Sequence, residues 1–116
     1  MAVKRIVANI ATEHVENAKA FYADILDLRL VVDFGWILTF AAEGSAAPQI
    51  SIASEGGSGT PVPDLSIEVD NLDDVHRRVV AKGFSVEYGP VIEPWGVRRF
   101  YVRDPFGRLL NILAHD

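Results

Sequence analysis

The chain reads as an α+β protein made of two modules of the order strand, helix, strand, strand, strand. Three observations predict this. The order strand, helix, strand, strand, strand occurs twice, offset by roughly sixty residues, as an internal duplication would leave it. A Gly-rich stretch at 54–63 separates the copies. Strand residues alternate so that each sheet has one apolar face for a helix and one mixed face. The whole of 1–116 is expected to be one domain, with module 1 at about 1–54 and module 2 at about 62–116.

Residues 4–11 form the first strand. Thr12 then caps a helix with Glu13 and Glu16 in its first turn, favourable at the positive end of the helix dipole. Val15, Ala18, Phe21, Tyr22, Ile25 and Leu26 recur at helical spacing and form one apolar face. Residues 28–33 are a β-branched run broken by Phe34-Gly35, and 36–41 return as the next strand. A loop at 43–48 leads to a fourth strand at 49–53. The stretch 54–63 is too rich in glycine for regular structure.

The order then repeats. Residues 65–69 form a strand, and Asp70 or Asn71 caps a helix with Asp73 and Asp74 in its first turn. Leu72, Val75 and Val79 make its buried face, and Gly83 supplies the left-handed residue that ends it. Strands at 84–88, 96–103 and 108–113 complete the module. Asp104-Pro105-Phe106-Gly107 joins the last two: Pro105 pre-sets φ at the first corner, and Gly107 accepts conformations a side chain would forbid.

Composition removes several functions. At 116 residues and 49% hydrophobic content the chain can bury a core without disulfides or structural metal. A formal charge of −5 argues against nucleic acid and anionic membranes as partners. With no cysteine there is no disulfide, zinc-thiolate site or thiol nucleophile. The N-terminal residues lack the apolar core of a signal peptide, and no run approaches the roughly 20 residues of a membrane span, so a soluble cytoplasmic protein is expected.

The alternation places side chains on the two faces. Ile6, Ala8 and Ile10 suit the helix side of the first strand, leaving Val7 and Asn9 opposite. Leu65, Ile67 and Val69 leave Asp64, Ser66 and Glu68. The fourth strand leaves Gln49 and Ser51, and the eighth leaves Leu109, Asn111 and Leu113. A concave, partly apolar surface with a few polar groups suits a small molecule, and an amphipathic sheet in water gives the same pattern.

Three stretches carry a resemblance. Phe21-Tyr22 followed by Ile25-Leu26-Asp27-Leu28, the run Trp95-Gly96-Val97-Arg98-Arg99-Phe100, and Asp104-Pro105-Phe106-Gly107, in this order within the repeated modules, resemble the vicinal oxygen chelate superfamily, and most of all its glyoxalase/bleomycin-resistance branch. Asp27 stands where the family usually has Gly, a place where Asp tolerates left-handed geometry. The resemblance implies an α+β fold of two βαβββ modules whose mixed sheets curl around a cleft, often completed by a twofold dimer, and members that are isomerases, dioxygenases, epimerases, thiol transferases or drug binders. It also implies four pseudosymmetric strand positions for a divalent ion, which fall here at about Val7, Ser51, Asp64 and Asn111. Only Asp64 is an anionic donor, so no metal and no other cofactor is expected.

The expectation is a metal-free homodimeric protein that binds a partly aromatic small molecule, with Trp36, Phe40, Asp64, Ser66, Trp95, Arg98 and Asn111 as candidate ligand contacts. Each tryptophan serves either ligand or core. Arg98 matches the Trp-Gly-x-Arg pattern of drug-binding relatives, and pairing with Glu93 or Asp33 is its other reading. Asp64 is either a cleft carboxylate or a solvated strand start after Pro63. Arg99 takes a place where those relatives often carry Glu. The alternative function is a metal-dependent lyase, isomerase or dioxygenase-like enzyme of the same superfamily with an atypical ligand set around Asp64. No catalytic residue is assigned.

Overall fold

The structure, a computed structural model, describes residues 2–43 and 48–115. Its strands are β1 (Val3–Ala11), β2 (Arg29–Asp33), β3 (Ile37–Ala41), β4 (Gln49–Ala53), β5 (Leu65–Val69), β6 (Val86–Ile92), β7 (Val97–Arg103) and β8 (Leu109–His115). One α-helix, α1, covers Leu72–Ala81. The architecture is mixed α+β with βαβββ modules. The chain divides into two compact units, Val7–Val62 and Met1–Ile6 with Pro63–Asp116. The first six residues therefore belong with the second unit and not with the module that follows them. No helix among the described residues is long and apolar enough to cross a membrane.

In the 7–62 unit the strand order is β2-β3-β4-β1. β1 runs parallel to β4, with Asn9 opposite Ser51, while β3 runs antiparallel to β4, with Thr39 opposite Ser51. Val15, Ala18, Leu38, Phe40 and Ile52 form the core, and Tyr22 lies against Phe40 with ring centroids 5.8 Å apart.

The helix expected after Thr12 is replaced by a 3-10 turn at Val15–Asn17 and a π-helical turn at Lys19–Ala23. The Asp24 N–H reaches back to the Lys19 carbonyl and the Leu26 N–H to Phe21, which widens the turn. The apolar stripe is thereby split. Val15 and Ala18 are buried, but Phe21, Ile25 and Leu26 are exposed. Asp27 ends the segment at φ 61°, the left-handed geometry its replacement of Gly requires. The facing of β1 is as expected, with Ala8 and Ile10 opposite Ile50 and Ile52 on the helix side and Asn9 opposite Ser51, but its burial is not: Ile6 and Ile10 are 57% and 41% exposed, while Val7 is buried. The helical turns lie on Leu38, Phe40 and Ile52 of β3 and β4, so they leave the outer side of β1 uncovered.

In the second unit the order is β5-β8-β7-β6, with β5 parallel to β8 and the other pairs antiparallel. α1 begins at Asn71, whose side chain accepts the Asp74 N–H at 3.1 Å, with Asp73 and Asp74 in its first turn. Gly83 follows at φ +85°. Leu72 anchors the helix on a core of Val69, Phe100, Val102, Ile112 and Ala114, with Val75 and Val79 packed against it. Phe84 is exposed at the helix exit, where its N–H bonds to the Val79 carbonyl, so β6 starts at Val86 and not at the residue expected. Residues 54–63 carry no regular structure, yet the loop is tied by the Gly56 N–H to the Thr60 carbonyl at 2.8 Å.

Candidate functional site

Alternation along β7 sorts its residues cleanly. Phe100 and Val102 enter the core under α1, and Arg98 points the same way, meeting Asp73 of α1 at 2.8 Å. Val97, Arg99 and Tyr101 therefore share the opposite face. There the pairing register lines up a row: Ser66 opposite Asn111, Asn111 opposite Tyr101, and Tyr101 opposite Tyr88.

At the centre of this face is an ion pair. The Arg99 and Glu93 side chains are each 3% exposed, and the guanidinium donates to the Glu93 carboxylate through Nε at 2.7 Å and Nη2 at 2.6 Å. The Tyr88 hydroxyl donates to the same carboxylate oxygen at 3.0 Å, and Arg99 Nη1 donates to the Tyr101 hydroxyl at 3.1 Å. The rings of Trp95, Tyr101 and Tyr88 surround the guanidinium at 5.0, 5.0 and 5.5 Å. Desolvating two charges costs several kcal/mol per ion, and two guanidinium N–H groups converging on one carboxylate oxygen, together with the tyrosine hydrogen bonds and aromatic faces, offset that cost. The sequence marks Arg99 only as a departure from its relatives. Its network is spread over a hairpin, with Glu93 brought round by the turn that closes with the Gly96 N–H on the Glu93 carbonyl at 3.1 Å.

A second polar group lies on the same unit. Glu68 forms an ion pair with Arg5, Oε1 to Nε at 3.1 Å, and pairs with His115 Nδ1 at 2.8 Å. Burial pushes the Glu68 carboxyl up, but the His115 hydrogen bond and the charges of Arg5, His115 and Lys4 outweigh it and hold the group below the usual glutamate range.

Of the sequence-predicted residues, Ser66 and Asn111 come together: Asn111 Nδ2 donates to Ser66 Oγ at 3.1 Å. Asn111 is 8% exposed, and its carbonyl oxygen Oδ1 is buried without a hydrogen-bond partner. Trp95 packs over Arg99. Arg98 sits on the helix-covered side with Asp73, neither of the partners expected for it. Asp64 accepts the Leu109 N–H at 2.9 Å through Oδ2, while its own N–H bonds to the Leu109 carbonyl. Trp36 and Phe40 belong to the 7–62 unit. Trp36 is half-buried beside Phe34, with centroids 6.0 Å apart, and Phe40 has no exposed surface in the core. An open depression of about 240 Å³ in that unit, lined by Val15, Glu16, Lys19, Asp33, Gly35 and Leu38, contains none of the predicted residues.

The four positions implied for a metal do not fit one. Val7 has no donor atom, the Ser51 hydroxyl is bonded to Thr39 Oγ1 at 2.8 Å, Asp64 is tied to Leu109, and Asn111 is a neutral amide. Among the described residues no group of three His, Cys, Asp or Glu is placed to hold an ion.

The profile of the Glyoxalase/Bleomycin resistance protein/Dioxygenase superfamily matches residues 3–112. No curated protein sequence matches the chain. Among solved structures, a Legionella pneumophila protein described as an NAD-dependent benzaldehyde dehydrogenase superposes with a TM-score of 0.76 at 18% identity, covering 97% of this chain and 100% of that one. A Streptomyces coelicolor methylmalonyl-CoA epimerase bound to 2-nitronate-propionyl-CoA gives 0.72 at 15% identity, covering 98% and 96%. A member of the same superfamily from Vibrio splendidus gives 0.61 at 12% identity, covering 99% and 100%. At such identities the likeness is one of fold.

Proposed function

The chain belongs to the Glyoxalase/Bleomycin resistance protein/Dioxygenase superfamily, and from that premise we propose that it is a metal-free, homodimeric small-molecule-binding protein whose ligand is partly aromatic. The observation that carries this reading is the chemistry at the four family positions. One has no donor atom, and two have their polar groups engaged within the protein. The fourth, Asn111, sits in a row of hydrogen-bonding and aromatic side chains. Such a surface binds by stacking and directed hydrogen bonds, without Lewis acid chemistry. The ligand contacts proposed are Ser66, Asn111 and Trp95. Phe40 and Arg98 are left out because their packing commits them to the core and to the helix side.

The test is a thermal-shift and tryptophan-fluorescence screen of the purified protein against aromatic metabolites and antibiotics, run with and without chelator. Binding unaffected by chelator is the expected result. No response across the panel sinks the binder reading.

The second reading is a metal-dependent lyase or isomerase, favoured by the two methylmalonyl-CoA epimerases among the structural neighbours and by the Glu68–His115 pair. Stoichiometric metal in protein purified from unsupplemented cells would replace the first reading with this one.

A further inference from the structure

The row on β5, β8 and β7 narrows the chemical class of the ligand, given the reading above that this unit binds a small aromatic molecule. We infer that the ligand is uncharged and presents an N–H or O–H donor to Asn111 Oδ1.

The first ground is the amide itself. Its two ends are treated differently: Nδ2 has Ser66 Oγ as acceptor, while Oδ1 is buried with no donor to meet it. A buried acceptor left unmatched costs about 1–3 kcal/mol, so a molecule bringing a donor to that atom recovers what the folded protein gives up there. A ligand of the same shape without the donor gains nothing. This is why sites built to hydrogen-bond a group discriminate strongly against its absence.

The second ground is charge. The charged side chains around the row are engaged within the protein: Arg99 with Glu93, Arg5 with Glu68, Arg103 with Glu87, and Asp64 with the Leu109 N–H. A charged ligand would have to draw one of these groups from its partner. At the centre of the face that means breaking the buried Arg99–Glu93 pair, which leaves an uncompensated charge. The third ground is the neighbour across the ladder. Tyr101, 1% exposed, stands directly opposite Asn111, with the Tyr88 ring 5.4 Å from its own, so the surroundings of Asn111 are aromatic and dry and disfavour a charge.

Phenol, anisole and benzoate separate these features on one ring: a donor, an acceptor alone and a negative charge. The experiment titrates each into ¹⁵N-labelled protein, following the Asn111 side-chain amide and the affinity. Phenol is expected to bind about tenfold or more tighter than anisole and benzoate, and to move the Asn111 resonances. In Asn111→Leu the preference for phenol over anisole is expected to disappear. Equal affinities, tightest binding by anisole or benzoate, or a preference that survives Asn111→Leu would each overturn the inference and leave the binder reading standing. Failure of all three probes, together with failure of the wider screen, would remove both. The wild-type phenol-to-anisole ratio decides the matter even if the leucine variant does not fold.

Discussion

The two modules share one plan and finish it differently. In the 7–62 unit the row facing away from the helical turns is Asn9, Ser51 and Thr39, and it closes on itself through a hydroxyl pair at 2.8 Å. In the second unit the corresponding row is Ser66, Asn111 and Tyr101. It leaves an amide oxygen unmatched beside an ion pair wrapped in aromatic rings. The covers differ as well. α1 is a capped, ten-residue helix, whereas its counterpart breaks into 3-10 and π turns with no side-chain cap at His14. The frame is common to both, and side-chain chemistry leaves one row satisfied within itself and the other with an unmatched acceptor.

The sharpest way to break that contrast is to remove Glu93. Glu93→Ala leaves Arg99 buried among rings without its carboxylate, and a loss of about 3–5 kcal/mol in urea unfolding is expected. Adding Arg99→Met to it should recover part of that loss, because no charge then remains unpaired. A second large effect is expected at Gly89, at φ +77°, where a Cβ would sit 2.5 Å from the Arg99 carbonyl oxygen. Both atoms belong to backbone, so neither swings aside, and Gly89→Ala should cost about 2–3 kcal/mol by the same measurement. In the other unit Thr39→Val strands the Ser51 hydroxyl, with an expected cost of about 1–2 kcal/mol. The caps should differ more gently: Asn71→Ala is expected to lose about 1 kcal/mol, and His14→Ala almost nothing.

The smallest effect is one of pH. The folded-state pKa of Glu68 lies below its unfolded value. Its contribution is therefore fully present above the ordinary glutamate pKa of about 4.3 and is lost as pH falls through the depressed value. The gap in melting temperature between the wild type and Glu68→Gln should narrow on acidification from about pH 6 to pH 3. A constant gap would mean that the His115 and Arg5 contacts do not favour the charged form.

These contrasts also show what was legible in the chain beforehand. Asn71, Asp73, Asp74 and Gly83 are local signals, and the helix they bound is where they put it. The first helical segment had an apolar stripe and Thr12 as its expected cap, yet it starts at Val15 with no side-chain cap, and widened hydrogen bonding turned Phe21, Ile25 and Leu26 outward. Periodicity gives the side a residue faces but not which strands a helix will cover, so Ile6 and Ile10 stay exposed on the side expected to be buried. Ser66 and Asn111 meet on the face expected for them because alternation along a strand is a short-range rule. The partners of Arg99 were not, because its contacts come from Tyr88, Glu93 and Trp95, which a bulged hairpin brings into register only once β6 and β7 have paired.

The division of β1 between the two units carries a consequence for how the molecule is made. The Ala2 N–H donates to Asp70 Oδ1 at 2.7 Å, and the Asp70 N–H to the Ala2 carbonyl at 3.1 Å, across 68 positions of sequence. A ribosome delivers Ala2 long before Asp70 exists. The 7–62 unit can close on contacts already emerged, while the leading residues wait, unpaired, for a strand still to be translated. The last unit to be completed is thus one that needs residues translated ahead of the other.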